Sequence, residues 1–225
     1  MTSHAAEILA HDVVQIHPAR IMADLTVPNR ANGIVLFAHG SGSSRFSSRN
    51  RFVAGALVQE GFATLLLDLL TRKEEESEVR RRHSTFDIEL LAGRLLQATA
   101  WVRENKATAS LPIGYFGAST GAGAALAAAA DQPEFVRVVV SRGGRPDLAG
   151  PKLANVRAPT LLIVGEQDET VIRLSQAALA RMQCTKKLEI VPGATHLFEE
   201  PGALENVARL AGRWFKQYLT LDEGG

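Results

Sequence analysis

The order of apolar and amphipathic segments predicts an α/β fold, a mostly parallel, doubly wound sheet of about eight strands flanked by helices. Short apolar runs such as residues 34–38 and 160–164 are typical of strands buried on both faces. These runs alternate with segments of helical periodicity, as in a doubly wound sheet. Because 225 residues can bury the core of one such sheet, we expect residues 1–225 to form a single domain.

The expected strands differ in pattern along the chain. Residues 20–27 alternate between apolar and polar side chains, which is typical of a half-buried antiparallel strand. Residues 33–38 form a continuous apolar run, as a central parallel strand requires. The expected strands are 12–16, 20–27, 33–38, 63–70, 111–116, 136–141, 160–164 and 187–191.

Helices are expected between these strands, because apolar residues recur there every three to four positions. The expected helices cover about residues 50–60, 87–105, 124–130, 171–182 and 201–219. Residues 72–83 are the most charged segment, and we expect a solvated loop or a helix start there. The connections 70–84 and 141–159 are each too short for a separate lid domain.

The composition excludes several classes of protein. The formal net charge is +1 and basic residues are scattered among acidic ones, so nothing favours binding to nucleic acid or to an acidic membrane. No run of about 18 apolar residues occurs, so we expect no membrane span. Cys184 is the single cysteine, which excludes an internal disulfide, and the N-terminus lacks the pattern of a signal peptide. We therefore expect a cytoplasmic protein.

The G-x-S-x-G motif at residues 117–121 is the strongest signal for chemistry. It follows an expected buried strand and precedes an alanine-rich segment of high helix propensity. A serine at such a tight turn takes a strained backbone, and the flanking glycines make room for the turn. Its hydroxyl is then exposed at the sheet edge, where the helix N-terminus favours developing negative charge. Ser119 is therefore a candidate nucleophile, and a helix start built from small residues is the alternative.

Two further strand ends supply partners for this serine, because ligands of open α/β sheets bind outside the carboxyl ends of strands. Asp168 follows the seventh expected strand and is a candidate for orienting a histidine, although an acid there also caps a helix. His196 follows the eighth strand and is the candidate base. The order Ser119, Asp168, His196 matches the order of nucleophile, acid and base in this architecture. Glu166 is a neighbouring carboxylate, and His39 is a competing base that fits a structural role better.

An oxyanion hole is expected next to the loop that follows the third strand. This loop, residues 39–42, is rich in glycine and serine and offers backbone N–H groups. We expect the N–H of Ser41 to act with the N–H of Thr120, which directly follows the candidate nucleophile. A plain tight turn is the alternative.

Together these segments resemble the α/β-hydrolase superfamily and, more narrowly, its lidless branch of small hydrolases similar to dienelactone hydrolase. The resemblance runs from about residue 33 to residue 219 and rests on residues 36–42, 117–121, 162–168 and 193–196. It implies an α/β-hydrolase fold and a serine hydrolase that forms an acyl-enzyme intermediate. In that scheme Ser119 is the nucleophile, His196 the base and acid, and Asp168 the residue that orients His196.

One departure from this family limits what the resemblance implies. Dienelactone hydrolases proper use a cysteine nucleophile, whereas this chain has serine at that position. Cys184 lies far from the motif along the chain. We therefore do not carry over the lactone substrate and expect a general carboxylester hydrolase.

The expected substrates are water-soluble esters with short acyl groups, because a site without a lid has little apolar surface to enclose a long chain. Arg45, Arg142 and Arg145 leave the sheet at the same edge, and we expect Arg45 or Arg142 to attract a carboxylate or phosphate on the substrate. The alternative is that these arginines pair with acidic residues, namely Asp147, Glu166 or Glu199.

Other functions would use the same residues. A thioesterase, an acyltransferase or a perhydrolase stays an alternative, as does a non-catalytic binding protein of this fold. A Walker-type phosphate loop at residues 117–123 is excluded, because no Lys-Ser/Thr pair follows. The six histidines are dispersed, so we expect no metal site, and no cofactor is implied.

Overall fold

The computed structural model describes residues 7–80 and 87–219, with the backbone alone for residues 77–80. The strands in these ranges are β1 (Ile8–Ile16), β2 (Ile21–Pro28), β3 (Ile34–Ala38), β4 (Ala63–Leu67), β5 (Ile113–Ala118), β6 (Val136–Arg142), β7 (Thr160–Gly165) and β8 (Lys186–Val191). The helices are α1 (Ser48–Gln59), α2 (Arg72–Arg80), α3 (Ile88–Glu104), α4 (Thr120–Asp131), α5 (Glu169–Arg181) and α6 (Ala203–Tyr218). A 3₁₀ segment, Pro146–Asn155, connects β6 to β7.

All eight strands belong to one sheet in the order β1-β2-β4-β3-β5-β6-β7-β8. β1 pairs with β2 and β2 with β4 in antiparallel fashion, whereas every pairing from β4 through β3 to β8 is parallel. Every residue of β3 is buried, in agreement with its apolar run. The predicted doubly wound, mostly parallel sheet is therefore confirmed, and it has the α/β-hydrolase architecture.

The sheet separates two apolar cores. On one face, Val53 and Leu57 of α1 pack with Phe215 of α6. On the other face, Leu95 of α3 packs with the alanines of α4. α4 is buried from residue 120 to residue 129, because its small side chains allow the helix to lie close to the sheet. The N-terminus of α4 is thereby held at the carboxyl edge of the sheet.

Several elements differ from the predicted boundaries. β5 runs to Ala118 and α4 begins at Thr120, so a single residue separates strand from helix. The charged segment folds as α2, and α6 begins at Ala203 because Gly202 ahead of it has a left-handed backbone (φ 80°). Predictions for residues 81–83 of the charged segment and for both chain ends lie outside the described residues. None of the helices within the described ranges is long and apolar enough to cross a membrane.

Candidate active site

The loops that follow β3, β5, β6 and β8 meet at the carboxyl edge of the sheet. They enclose a pocket of about 190 Å³. Its lining includes Ser41 after β3, Ser119 after β5, Arg142 at the end of β6 and His196 after β8. We call this space the polar pocket. It brings together most of the side chains that the sequence indicated.

The backbone of Ser119 is strained in the way that the G-x-S-x-G motif predicts. Its φ of 51° and ψ of −124° lie in a region that residues with a side chain rarely adopt. Glycine is required on both sides of the turn. A Cβ at Gly117 would lie 2.4 Å from Ala122 Cα, and one at Gly121 would lie 2.3 Å from the Ala38 carbonyl oxygen. The sequence therefore forces the serine onto a sharp corner between β5 and α4.

The hydroxyl of Ser119 does not cap the helix that follows it. Serine is among the preferred residues at a helix N-cap, where its side chain normally accepts a backbone N–H. Ser119 occupies that position on α4 without a side-chain cap bond. Its carbonyl oxygen instead accepts the N–H groups of Ala122 (3.1 Å) and Arg145 (2.9 Å). The strain and the absent cap bond leave the Oγ available to the polar pocket.

Asp168 makes both contacts that the sequence suggested for it. Its Oδ1 accepts the N–H of Val171 at 3.4 Å and so caps α5. Its Oδ2 lies 2.6 Å from Nδ1 of His196. Asp168 is mostly buried, with 12% of its side chain exposed, whereas His196 is 41% exposed. A neutral His196 that donates from Nδ1 carries its lone pair on Nε2, as a general base requires.

Glu166, the neighbouring carboxylate, fastens the loop that carries His196. Its Oε2 accepts the N–H of Gly193 at 2.7 Å, and Gln167 Nε2 donates to the Gly193 carbonyl oxygen at 3.1 Å. The acid that contacts His196 is Asp168 and not Glu166.

His39, the competing base, is part of the scaffold. It is 5% exposed. Its Nε2 accepts the N–H of Leu69 at 3.0 Å, which leaves Nδ1 to donate to the Gly40 carbonyl oxygen at 2.8 Å. Burial lowers the pKa of the imidazole, so the neutral form is favoured. With both ring nitrogens engaged, His39 ties the loop after β3 to the end of β4.

The two residues predicted for the oxyanion hole are in direct contact. The N–H of Ser41 donates to Thr120 Oγ1 at 3.1 Å, and the two hydroxyl oxygens lie 2.8 Å apart. Thr120 is the first residue of α4, so its N–H lies at the positive end of a helix. The loop after β3 and the start of α4 are therefore joined beside the nucleophile candidate.

Arg45 is bound elsewhere and does not line the polar pocket. Its Nε bonds Asp24 Oδ1 at 2.9 Å, its Nη1 bonds Asp68 Oδ2, and its N–H bonds Asp68 Oδ1 at 2.8 Å. These bonds hold the loop after β3 against β2 and β4. We therefore do not retain Arg45 as a substrate contact. Arg145 pairs with Asp147 through two bonds of 2.8 Å, as the alternative stated.

Arg142 lies in the polar pocket and has no carboxylate partner among residues 7–80 and 87–219. It is 7% exposed, and the one hydrogen bond of its side chain among the described residues joins Nη2 to Asn50 Oδ1 at 3.3 Å. Its buried Nε has no partner within the described part of the chain. Burial, together with the charge of Arg49, lowers the pKa of Arg142 to about 10. A buried cation without a counter-ion can receive an anion from outside the protein.

The sequence analysis did not identify Arg49 as a pocket residue. Arg49 lies in the first turn of α1 and lines the polar pocket with Arg142. Its Nη1 bonds Glu199 at 3.1 Å, and its Nε is buried without a partner among the described residues. No local pattern marks this residue, because its role depends on how the fold brings the start of α1 to the end of β6, where Asn50 bonds Arg142. Residues 7–80 and 87–219 contain no cluster of three or more His, Cys, Asp or Glu side chains that could hold a metal ion.

Comparison with known proteins places this site in a family. The family model for the dienelactone hydrolase family matches residues 20–221. A crystal structure of dienelactone hydrolase from Anabaena variabilis is 57% identical, with a TM-score of 0.90 over 96% of this chain and 100% of that chain. Est1E from Butyrivibrio proteoclasticus is 16% identical, with a TM-score of 0.74 over 92% of this chain and 98% of that chain, and shares the fold.

Two curated relatives have names that refer to a transferase and not to a hydrolase. They are Mycobacterium tuberculosis proteins named as proposed phosphoribosyl transferases, each 61% identical over 202 residues. The match covers 90% of this chain and 45% of theirs, so the chain spans less than half the length of these relatives. The match of the family model over nearly the whole chain is decisive for classification. The chain belongs to the dienelactone hydrolase family of hydrolases.

Proposed function

We propose that this protein is a serine hydrolase that cleaves carboxylic esters through an acyl-enzyme intermediate. One observation carries the proposal: His196, which lines the same pocket as Ser119, donates a hydrogen bond of 2.6 Å from Nδ1 to Asp168 Oδ2. The strained backbone of Ser119 and its unused capping hydroxyl support the same reading. A strained backbone that no stabilising side-chain bond offsets is typical of a functional residue.

The first half-reaction forms the acyl-enzyme. Nε2 of His196 takes the proton of Ser119 Oγ as the oxygen attacks the ester carbonyl carbon, and Asp168 stabilises the imidazolium that results. The oxygen of the tetrahedral intermediate is received by the N–H groups of Thr120 and Ser41. For this the Ser41 N–H exchanges its bond to Thr120 Oγ1 for one to the oxyanion. The imidazolium then gives its proton to the leaving alcohol.

The second half-reaction releases the acid. A water molecule takes the place of the alcohol, and His196 removes its proton as it attacks the acyl carbon. Collapse of the second tetrahedral intermediate returns the proton through His196 to Ser119 Oγ. The protein ends unchanged, and the products are one alcohol and one carboxylic acid.

Replacement of Ser119 tests this proposal. The wild type should hydrolyse p-nitrophenyl acetate and butyrate, and Ser119→Ala should lower turnover by several orders of magnitude. A fluorophosphonate should label the wild type and not the variant. Ser175→Ala is a matched control, because Ser175 is buried on α5 outside the polar pocket, and it should keep both activity and labelling. Equal activity in wild type and Ser119→Ala would overturn the proposal.

The name of the mycobacterial relatives does not change this proposal. Phosphoribosyl transfer is attributed to proteins that are more than twice as long as the matched region. Over that region, the family model is that of a hydrolase. A thioesterase, an acyltransferase or a perhydrolase would use the same three residues. Product analysis with a thioester, an added alcohol or peroxide distinguishes these reactions from ester hydrolysis.

Arg142 is proposed to bind an anionic group on the substrate, either a carboxylate or a phosphate. The unpartnered Nε of Arg142 and the nearby Arg49 favour this, since charge-assisted hydrogen bonds to an anion would satisfy both groups. Arg142→Met should lower kcat/KM for 3-carboxyphenyl acetate about tenfold to a hundredfold more than for phenyl acetate. Arg145→Met is the control, because Arg145 already pairs with Asp147. An equal loss on the neutral and the anionic ester would contradict the role of Arg142.

A further inference from the structure

A second cavity lies on the other side of the loop after β3. It has a volume of about 370 Å³, within the usual range for small-molecule sites. Its apolar wall is formed by Leu69 and Leu70 after β4 and by Leu91 of α3. Ser41 and Thr120 complete the wall toward the nucleophile. We call this space the apolar cavity.

The loop after β3 separates the apolar cavity from the polar pocket. Gly40, Ser41 and Ser43 line both spaces. Gly40 packs directly on the nucleophile candidate, because a Cβ built on it would lie 3.5 Å from Ser119 Oγ. An ester carbonyl bound to the amides of Ser41 and Thr120 therefore lies where the two spaces meet.

The position of His196 decides which half of an ester lies in which space. His196 must give a proton to the leaving oxygen, so the alcohol half has to lie within its reach. His196 lines the polar pocket and is not among the residues that line the apolar cavity. The alcohol half then occupies the polar pocket, and the acyl half extends past Ser41 and Thr120 in the opposite direction.

We propose that the apolar cavity is an acyl subsite for uncharged, apolar acyl groups longer than acetyl. This inference rests on the proposed ester hydrolysis and names its substrate class. The sequence led us to expect short acyl groups, because no lid domain was present to enclose a chain. The structure supplies an enclosing surface by another route, since α2 and α3 both contribute to the walls of the apolar cavity.

The charge distribution supports the same orientation. Glu75 of α2 lines the apolar cavity, and the second titratable residue of its lining, His39, is held neutral by burial. The described lining of the apolar cavity contains no Lys or Arg, so a carboxylate at the end of the acyl chain would meet no cation there. Arg142 and Arg49 line the polar pocket instead, so an anion is favoured on the alcohol half. The proposed substrate is an ester of an apolar acid with a polar or anionic alcohol.

Chain-length profiles of the wild type and of Leu91 variants test the acyl subsite. For p-nitrophenyl acetate, butyrate and hexanoate, each buried methylene should raise wild-type kcat/KM by up to about fourfold. Leu91→Phe should lower kcat/KM for the hexanoate at least about tenfold more than it lowers kcat/KM for the acetate. Leu91→Ala should instead move the preference toward longer chains. Leu90→Phe is the matched control, because Leu90 lies beside Leu91 on α3 outside the cavity lining, and its profile should equal that of the wild type.

A substitution of Glu75 tests the same subsite without altering the apolar core. The wild type should cleave p-nitrophenyl butyrate faster than the hemisuccinate, which has a carboxylate at the end of an acyl chain of equal length. Glu75→Gln should reduce this ratio by at least about threefold, because the like charge is removed.

Two results would overturn the inference while leaving the proposed hydrolysis intact. One is a flat acyl profile in an active wild type, with length selectivity confined to esters that vary in the alcohol. The other is an unchanged profile in both Leu91 variants together with an unchanged butyrate to hemisuccinate ratio in Glu75→Gln. If even the acetate is not hydrolysed, the proposed function itself fails.

Discussion

Two histidines follow strands at the same edge of the sheet, His39 after the fully buried β3 and His196 after the partly exposed β8, and their surroundings differ. His39 is buried and engages both ring nitrogens with backbone groups of Leu69 and Gly40. His196 is partly exposed, bonds Asp168 through Nδ1 and lines the pocket of Ser119. A histidine can transfer protons only when one ring nitrogen is free to face the reactants. The comparison shows that the partners of the ring, more than its place after a strand, determine what it can do.

The same contrast extends to the loops that carry the two histidines. The loop after β3 is fixed at both ends, by His39 to the end of β4 and by Arg45 to Asp24 and Asp68. A fixed loop suits the proposed oxyanion hole, whose donors stabilise charge best when they are already in place. The loop after β8 is tied through its backbone by Glu166, which leaves the His196 side chain to line the polar pocket.

We propose a structural role for His39 and a catalytic role for His196. Replacing each histidine with alanine should give the largest effects. His196→Ala should lower kcat on the order of 10⁴-fold to 10⁶-fold. Its free energy of unfolding should change by less than about 1 kcal/mol, because His196 is partly exposed. His39→Ala should instead lower the free energy of unfolding by about 2–4 kcal/mol, because a buried N–H and a buried carbonyl oxygen lose their partner. Ester hydrolysis and urea denaturation of both variants measure the two effects.

These roles would be wrong if His39→Ala lost turnover and His196→Ala lost stability. A folded His39→Ala protein that loses as much turnover as His196→Ala would make His39 the general base. A large loss of stability in His196→Ala would make its bond to Asp168 mainly structural.

Replacing Asp168 and Glu166, the two carboxylates after β7, provides a second test with a smaller expected effect. Asp168→Asn can keep the cap on α5, because asparagine is also a good N-cap residue. It cannot hold His196 in the tautomer that leaves Nε2 unprotonated, so kcat should fall about 10⁴-fold with little change in stability. Glu166→Gln is the matched control, and its kcat should fall less than about tenfold, because the Glu166 side chain bonds the backbone of Gly193 and not the His196 ring. Parallel kinetics of the two variants would show equal losses if Glu166 and Asp168 shared the role.

The sequence predicted the parts of this site that depend on strand order. Parallel strands bring their carboxyl ends to one edge, so the positions of Ser119 and His196 after β5 and β8 were enough to predict that they meet. The roles of Arg45 and Arg49 depend on side chains far along the chain, namely Asp24, Asp68 and Glu199, and no local pattern encodes such pairings. The apolar cavity was missed for the same reason, since its walls come from α2, α3 and the end of β4.

The pH dependence of stability is the smallest expected effect, and it concerns His39. Burial lowers the pKa of His39 below its usual value of 6.5. As the pH falls below about 6.5, the unfolded chain therefore binds a proton at this residue while the folded chain does not, and the free energy of unfolding decreases. The stabilisation that the neutral His39 provides decreases by at most about 1.4 kcal/mol per pH unit, and it is fully retained above about pH 7. His39→Gln keeps an acceptor for the Leu69 N–H but cannot titrate, so its free energy of unfolding should fall less between pH 7 and pH 5.5. Urea denaturation at pH 7 and pH 5.5 measures the change in the free energy of unfolding for each protein. Equal changes in wild type and variant would mean that His39 accepts its proton in the folded protein as readily as in the unfolded chain.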